Sequence, residues 1–227
     1  MTRPTLYLQP GCEMLAGALA FRQMLDASPL LLGVGLGLRH ATDADHVAAV
    51  STMLAGEARP LRALRLALLW GLGHTVSFLG VGAAVVLAGL QLPPRLEQLA
   101  ELAIAILLVT LGLQHLRGRR RDVAAPSARP VAVGLAHGVA GSAGVALLAL
   151  TTMPSRPVAL MYLGLFAVGT LSGMALLTAA LARPLAWSGR QSGSIARFLR
   201  HLPATLSLSL GGFMGFEVVS SALEAAR

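Results

Sequence analysis

The sequence predicts an all-α polytopic membrane protein: six transmembrane helices arranged as a 3+3 inverted repeat. Three observations carry this expectation. Of 227 residues, 55% are hydrophobic and 12% charged, about half the charged share of an ordinary soluble domain, and the mean hydropathy is +0.70. No proline lies in the interior of an apolar run: Pro29 and Pro157 open theirs and the other ten lie outside, most of them near the edges; proline fits a helix start and disrupts a helix interior. The runs themselves, 29–54, 61–90, 96–116, 131–153, 157–182 and 204–224, each supply the roughly 20 residues that a bilayer core of about 30 Å requires. They are too long for barrel strands, and only helices and closed barrels satisfy the backbone in lipid.

Residues 1–28 form an N-terminal leader. Glu13, Arg22 and Asp26 interrupt its apolar residues, so it does not read as a cleavable signal peptide. Residues 12–25 suit either a short amphipathic helix at the membrane surface or a weakly ordered lead-in. Residues 29–227 form a single six-helix domain, with halves at about 29–116 and 131–224 joined by the basic cytoplasmic loop 117–130. The second run is long enough to tilt. The first is unusual: Arg39, His40, Asp43, Asp45 and His46 lie inside it. Each Asp or Arg near a helix centre costs about 2.5–3.5 kcal/mol of insertion free energy, so this helix needs protein around its polar cluster.

The formal charge of +8 would suit nucleic acid on a basic face. Here the basic residues are all arginine and sit between apolar runs, which excludes nucleic acid as the partner and points to the bilayer. On a six-span layout, twelve arginines fall in or beside the loops 55–60, 117–130 and 183–203 and five on the opposite side, with Arg39 inside the membrane. The positive-inside rule places the twelve in the cytoplasm. Both termini are then outside, and the first span runs inward. Cys12 is the lone cysteine, which excludes an intrachain disulfide and a cysteine metal site. No HExxH and no GxxxxGK[ST] occurs, so neither a zinc protease of that class nor P-loop ATP hydrolysis is expected, and the protein is not read as an enzyme.

The halves resemble each other. Gly37-Leu-Arg-His40 and Gly134-Leu-Ala-His137 lie 97 residues apart, and both precede small residues and a Val-Ala pair. Gly71-Leu-Gly-His74-Thr-Val-Ser77 matches the stretch from Gly164 to Ser172 more loosely at 93, and Gly112 matches Gly215 at 103. Three spans per copy force opposite orientations, the layout of many secondary transporters with sites between the repeats. The pairs Gly33/Gly37, Gly134/Gly138, Gly169/Gly173 and Gly211/Gly215 have the spacing of close helix packing.

On a straight helix of about 100° per residue, Asp43 and His46 lie near −60° and −120° from His40, and Asp45 near +140°. His40, Asp43 and His46 then share a face, and Asp45 joins them only if the helix unwinds, which Gly33, Gly35 and Gly37 would ease. Two imidazoles and a carboxylate make a borderline N/O site for a divalent transition metal. His74 and His137 on other spans can complete it. Set against this, Arg39 and Asp43 have the spacing of an intramembrane ion pair, and a lone membrane histidine such as His74 or His137 commonly bonds a neighbouring helix. His115, Glu97 and Glu101 read as interfacial, His201 as solvated, and Glu217 as either pathway-lining or interfacial.

His40-Ala-Thr-Asp-Ala-Asp45-His46 resembles the HX4DH signature of the nickel/cobalt transporter family, and Leu72-Gly-His74-Thr75 resembles its second motif. The stretch Gly134-Leu-Ala-His137-Gly-Val-Ala-Gly-Ser-Ala-Gly144 is similar to the urease-accessory nickel permease branch. The similarity covers roughly residues 30–222. It implies a permease of the bacterial cytoplasmic membrane whose substrate is Ni2+ or Co2+, with no permanently bound cofactor and a functional link to a nickel enzyme such as urease. It also implies that His40, Asp45 and His46 are required and that His74 contributes. Longer members have eight spans rather than six, and the related exporters carry a histidine-rich loop that is missing here, which leans towards uptake. Two alternatives remain: a metal-binding accessory or sensor protein without transport, and an exporter of metal or of a small organic anion or amino acid held by Arg39.

Overall fold

The computed structural model describes residues 31–55, 57, 59–89, 93–118, 128–139, 153–190 and 193–225. Within these residues the chain is all helical: α1 (31–40), α2 (Ala44–Leu54), α3 (Pro60–Ala88), α4 (Pro94–Leu116), α5 (Ala128–Val139), α6 (Arg156–Arg190) and α7 (Ser194–Ala225). Four of these, α3, α4, α6 and α7, are long and apolar enough to cross a membrane. The polarity of the bundle is that of a multi-pass membrane protein. Leu61, Val76, Ile106, Leu176, Phe213 and Phe216 face outward, while His40, Asp45, His46, His74, His137, Thr170 and Ser207 are buried. A soluble domain sorts these residue types the other way. The leader 1–28, most of the loop 117–130 and the second half of the 131–153 run, with its Val145-Ala146 and Gly141–Gly144 segments, lie outside the described residues.

Several boundaries follow the sequence. Pro60 and Pro94 open α3 and α4, where the missing amide costs nothing. Gly89 ends α3 in the left-handed conformation, at φ 62°, which glycine adopts without steric penalty. Two boundaries are corrected. Pro184 lies inside α6 and Pro203 inside α7, so the expected loop 183–203 is mostly helix. An interior proline costs about 3 kcal/mol through a lost amide and a clash, and in membrane helices neighbouring groups can take up the disturbed carbonyls. Around Pro203, Thr52 Oγ1 donates to the Pro203 carbonyl at 3.0 Å and His115 Nε2 to the Arg200 carbonyl at 3.0 Å.

The first run is also broken. Helical pairing gives way to Thr42 N to Arg39 O at 2.8 Å and Asp43 N to His40 O at 3.0 Å, and Asp43 stands extended at the start of α2, with φ −60° and ψ 148°. The interruption falls at residues 41–43. The three glycines before it sit within α1, where Gly33 and Gly37 pack against α6 instead of easing the break.

Two helix crossings are built alike. Where α1 meets α6, a Cβ on Gly37 would strike the Phe166 carbonyl and the Thr170 amide, and one on Gly169 the Val34 backbone. Where α3 meets α5, a Cβ on Gly134 would strike the Trp70 carbonyl and the His74 amide, and one on Gly73 the Val131 carbonyl. Corresponding residues are 97 apart from α1 to α5 and 96 apart from α3 to α6. Between α4 and α7, Gly112 sits on the Ala204 carbonyl and Gly211 on the Ala105 carbonyl, a correspondence at 99. These contact registers replace the looser sequence matches at 93 and 103. The direction of each pairing follows from the same contacts. Val34 with Gly169 and Ala41 with Gly173 make α1 and α6 run the same way. Gly73 with Val131 and Ser77 with Gly138 do so for α3 and α5, whereas Gly71 with Leu171 and Gly82 with Leu163 set α3 against α6. It follows that α1 and α5 are opposed.

Candidate metal centre

The helix break gathers the polar residues of the first run. His40 ends α1 and Asp43 leads into α2, and the His40 Nδ1–H donates to Asp43 Oδ2 at 2.9 Å. Asp45 lies in the first turn of α2. Its Oδ1 accepts from the His46 amide at 2.9 Å and lies 3.1 Å from His46 Nδ1. A straight wheel sends Asp45 away from the histidines; the broken helix turns it in. The expected Arg39–Asp43 ion pair is not what holds Asp43: its carboxylate pairs with His40, and Arg39 is exposed.

The packing of α3 and α5 supplies the other two histidines. His74 is buried on α3 beside His40, with their Nε2 atoms 3.3 Å apart. Two nitrogens this close repel unless one holds a proton aimed at the other or both lone pairs share a cation. His137 is buried on α5 and donates from Nε2 to Asp45 Oδ2 at 3.0 Å. All six residues singled out in the sequence therefore lie in one region. The centroid of the His46 ring is 4.5 Å from that of His40, 4.9 Å from His74 and 4.6 Å from His137.

Three ring nitrogens, His46 Nε2, His74 Nδ1 and His137 Nδ1, are buried without a hydrogen-bond partner among the described residues. A buried, unpaired polar group ordinarily costs about 1–3 kcal/mol. The donors fall into two sets, each mutually within 4.8 Å: His40, His46 and His74, and Asp45, His46 and His137. In both, a carboxylate holds an imidazole, as in metal sites where an acceptor fixes the tautomer and leaves the other nitrogen free to bind. Arg39 takes no part in either set.

Several participants were not singled out in the sequence. Trp70, Phe78 and Phe166 pack on the histidine rings; as apolar residues on apolar helices they give no local signal. Thr52 Oγ1 and Ser207 Oγ lie 2.9 Å apart in the buried interior, with Ser207 Oγ 3.2 Å from the Ala48 carbonyl, so the two hydroxyls share their protons among each other and the Pro203 and Ala48 carbonyls. Ser207 is a polar residue near the start of the sixth run, and that was a usable clue. Glu101 and Glu217 lie elsewhere, lining with Gln98, Ser220 and Ser221 an open cavity of about 380 Å³ that includes none of the six cluster residues.

Over 183 residues, spanning 72% of this chain and 80% of the other, the sequence is 28% identical to a protein of Bacillus sp. (strain TB-90) named urease accessory protein UreH. No family model matches the chain, and no solved structure matches it.

Proposed function

We propose that this protein is a secondary permease that carries Ni2+ or Co2+ into the cell across the cytoplasmic membrane. One observation carries the reading: four buried imidazoles and an aspartate, drawn from three separate stretches of chain, converge inside an apolar-faced helix bundle. Burying such groups in lipid is costly, and intramembrane ionisable residues ordinarily mark a pathway. Imidazole nitrogen and carboxylate oxygen suit nickel and cobalt, and neither donor set contains a thiolate of the kind that favours copper(I). The name of the Bacillus relative supports a link to a nickel enzyme such as urease.

The matched glycine crossings and the opposed directions of α1 and α5 support six spans in a 3+3 inverted repeat, with α1–α2, α3 and α4 in one copy and α5, α6 and α7 in the other. The cluster then lies where the copies meet. In this reading the membrane potential drives inward movement, at about 2.3 kcal/mol per charge for each 100 mV, and no nucleotide is needed. His40, Asp45 and His46 hold or relay the ion, His74 and His137 add ligands from neighbouring helices, and Asp43 orients His40. The organic-anion alternative needs Arg39 in the pathway, and Arg39 is exposed.

Radiometal uptake into vesicles tests the proposal. His40→Ala and His46→Ala should each lower Ni2+ or Co2+ uptake at least tenfold; unchanged uptake in both would sink the assignment. Tight metal binding by the purified protein without flux would favour the accessory role.

A further inference from the structure

The six residues do not close on one point. On one first-row ion with bonds of about 2.1 Å, ligand atoms lie no more than about 4.2 Å apart. Within 4.8 Å, the donors form two sets of three, and only His46 belongs to both. Its two nitrogens have different surroundings. Nδ1 is 3.1 Å from Asp45, while Nε2 is buried and unpartnered. The His46 ring lies 4.5, 4.9 and 4.6 Å from the other three histidine rings, nearer than His74 lies to His40 (5.3 Å) or His137 (5.9 Å), and no ring contact among the described residues joins His40 to His137.

The outer members of the two sets are also equivalents. His40 and His137 are 97 residues apart, the same offset that relates α1 to α5 at their glycine crossings, and these helices run in opposite directions. An axis relating the halves would exchange His40 and His137, whose ring centroids lie 4.5 and 4.6 Å from that of His46. The sets differ in chemistry. One is three imidazoles; the other is two imidazoles and a carboxylate, which neutralises part of the ion's charge.

We infer that the protein holds two alternative stations for a single ion: His40/His46/His74 and Asp45/His46/His137. His46 is common to both, and the ion passes between them by changing its face on that ring. This deepens the permease reading and rests on it for the identity of the ion. At the first station Asp45 accepts the ring protons of His46 and His137; at the second it becomes a ligand. When the ion moves from His46 Nε2 to Nδ1 it displaces the Nδ1 proton; a water of the ion's hydration shell takes that proton and returns one to Nε2, so no net proton is gained or lost. A shared ligand lets the ion leave one station without becoming fully unbound.

The test uses the full chain, purified in detergent, loaded with Ni2+ or Co2+ alone and examined by X-ray absorption, with flux measured in proteoliposomes. His74→Gln should retain one ion bound by two imidazoles and a carboxylate oxygen. His137→Gln, whose amide can still donate to Asp45, should retain one ion bound by three imidazoles and no carboxylate. Both should pass ions at least tenfold more slowly, and His46→Gln should weaken binding at least a hundredfold. The same coordination in the His74 and His137 variants would mean one common site and would overturn the proposal. So would wild-type flux in His137→Gln, which would leave His137 merely orienting Asp45. Should the wild type show no flux while the two variants give the two distinct coordination spectra, the permease reading fails and the stations stand.

Discussion

At the residue scale, the two aspartates of the first run have different tasks. Asp43 is half-exposed and holds one histidine; Asp45 is buried between two. Removing an acceptor that fixes a metal-binding imidazole typically costs 10–100-fold in affinity. Asp45→Asn should therefore weaken Ni2+ or Co2+ binding by about that factor, and Asp43→Asn by only a fewfold, as measured by titration of the purified protein. Equal losses would mean that the burial of Asp45 has no bearing on the metal. The residue types of this site were legible in the sequence, as was the relation of His137 to His40. The place of Asp45 was not. A wheel drawn through His40 and His46 assumes one continuous helix, and the break at residues 41–43 changes the facing of everything after it. The neighbourhood of His74 and His137 depends on where α3 meets α5, a contact between distant parts of the chain.

At the scale of elements, glycine sets the distance between the helices that carry the site. Gly134 lies against the backbone of Trp70 and His74, whereas a Cβ at Gly35 would meet nothing within 4 Å. Gly134→Ala must push α5 from α3, at a cost of about 1–3 kcal/mol for overpacking, and it moves His137 away from Asp45. Its expected effect is a lower melting temperature in detergent and at least a tenfold loss of flux, with Gly35→Ala close to wild type. If the two variants behave alike, close approach at this crossing is unimportant. Element boundaries were legible where proline or glycine acts locally, at Pro60, Pro94 and Gly89. They were hidden at Pro184 and Pro203. Nothing near Pro203 in sequence announces that Thr52 and His115, from two other helices, bond to the carbonyls around it.

At the scale of the whole molecule, the same side chains that mark a membrane protein by composition are sorted with apolar groups outward and imidazoles inward. The proposed layout, six spans with both termini outside, would put residue 155 outside and residue 193 inside. In a Cys12→Ser background, Ser155→Cys should react in intact cells with a thiol reagent that cannot cross the membrane, and Gly193→Cys should react only after the membrane is opened. The reverse pattern would invert the orientation, and labelling of both would change the number of spans. Composition made the membrane character legible at this scale, because insertion into lipid depends on summed transfer free energies more than on any single contact.

The continuous helices through Pro184 and Pro203 have one more consequence. With 35 and 32 residues, α6 and α7 are about 50 Å long, well beyond a bilayer core of about 30 Å, and they pack on each other along part of that length. Arg183, Arg197 and Arg200 thus lie on helical backbone. A protease must draw a bond into an extended conformation before cutting it, so digestion from the cytoplasmic face should be governed by local unfolding. Trypsin added to inside-out vesicles is expected to spare the bonds after these three arginines for as long as the bundle stays folded. Fast cleavage there would show that the paired ends of α6 and α7 open readily in the native protein. A stretch that reads as a loop in the sequence is, over its described residues, helical backbone.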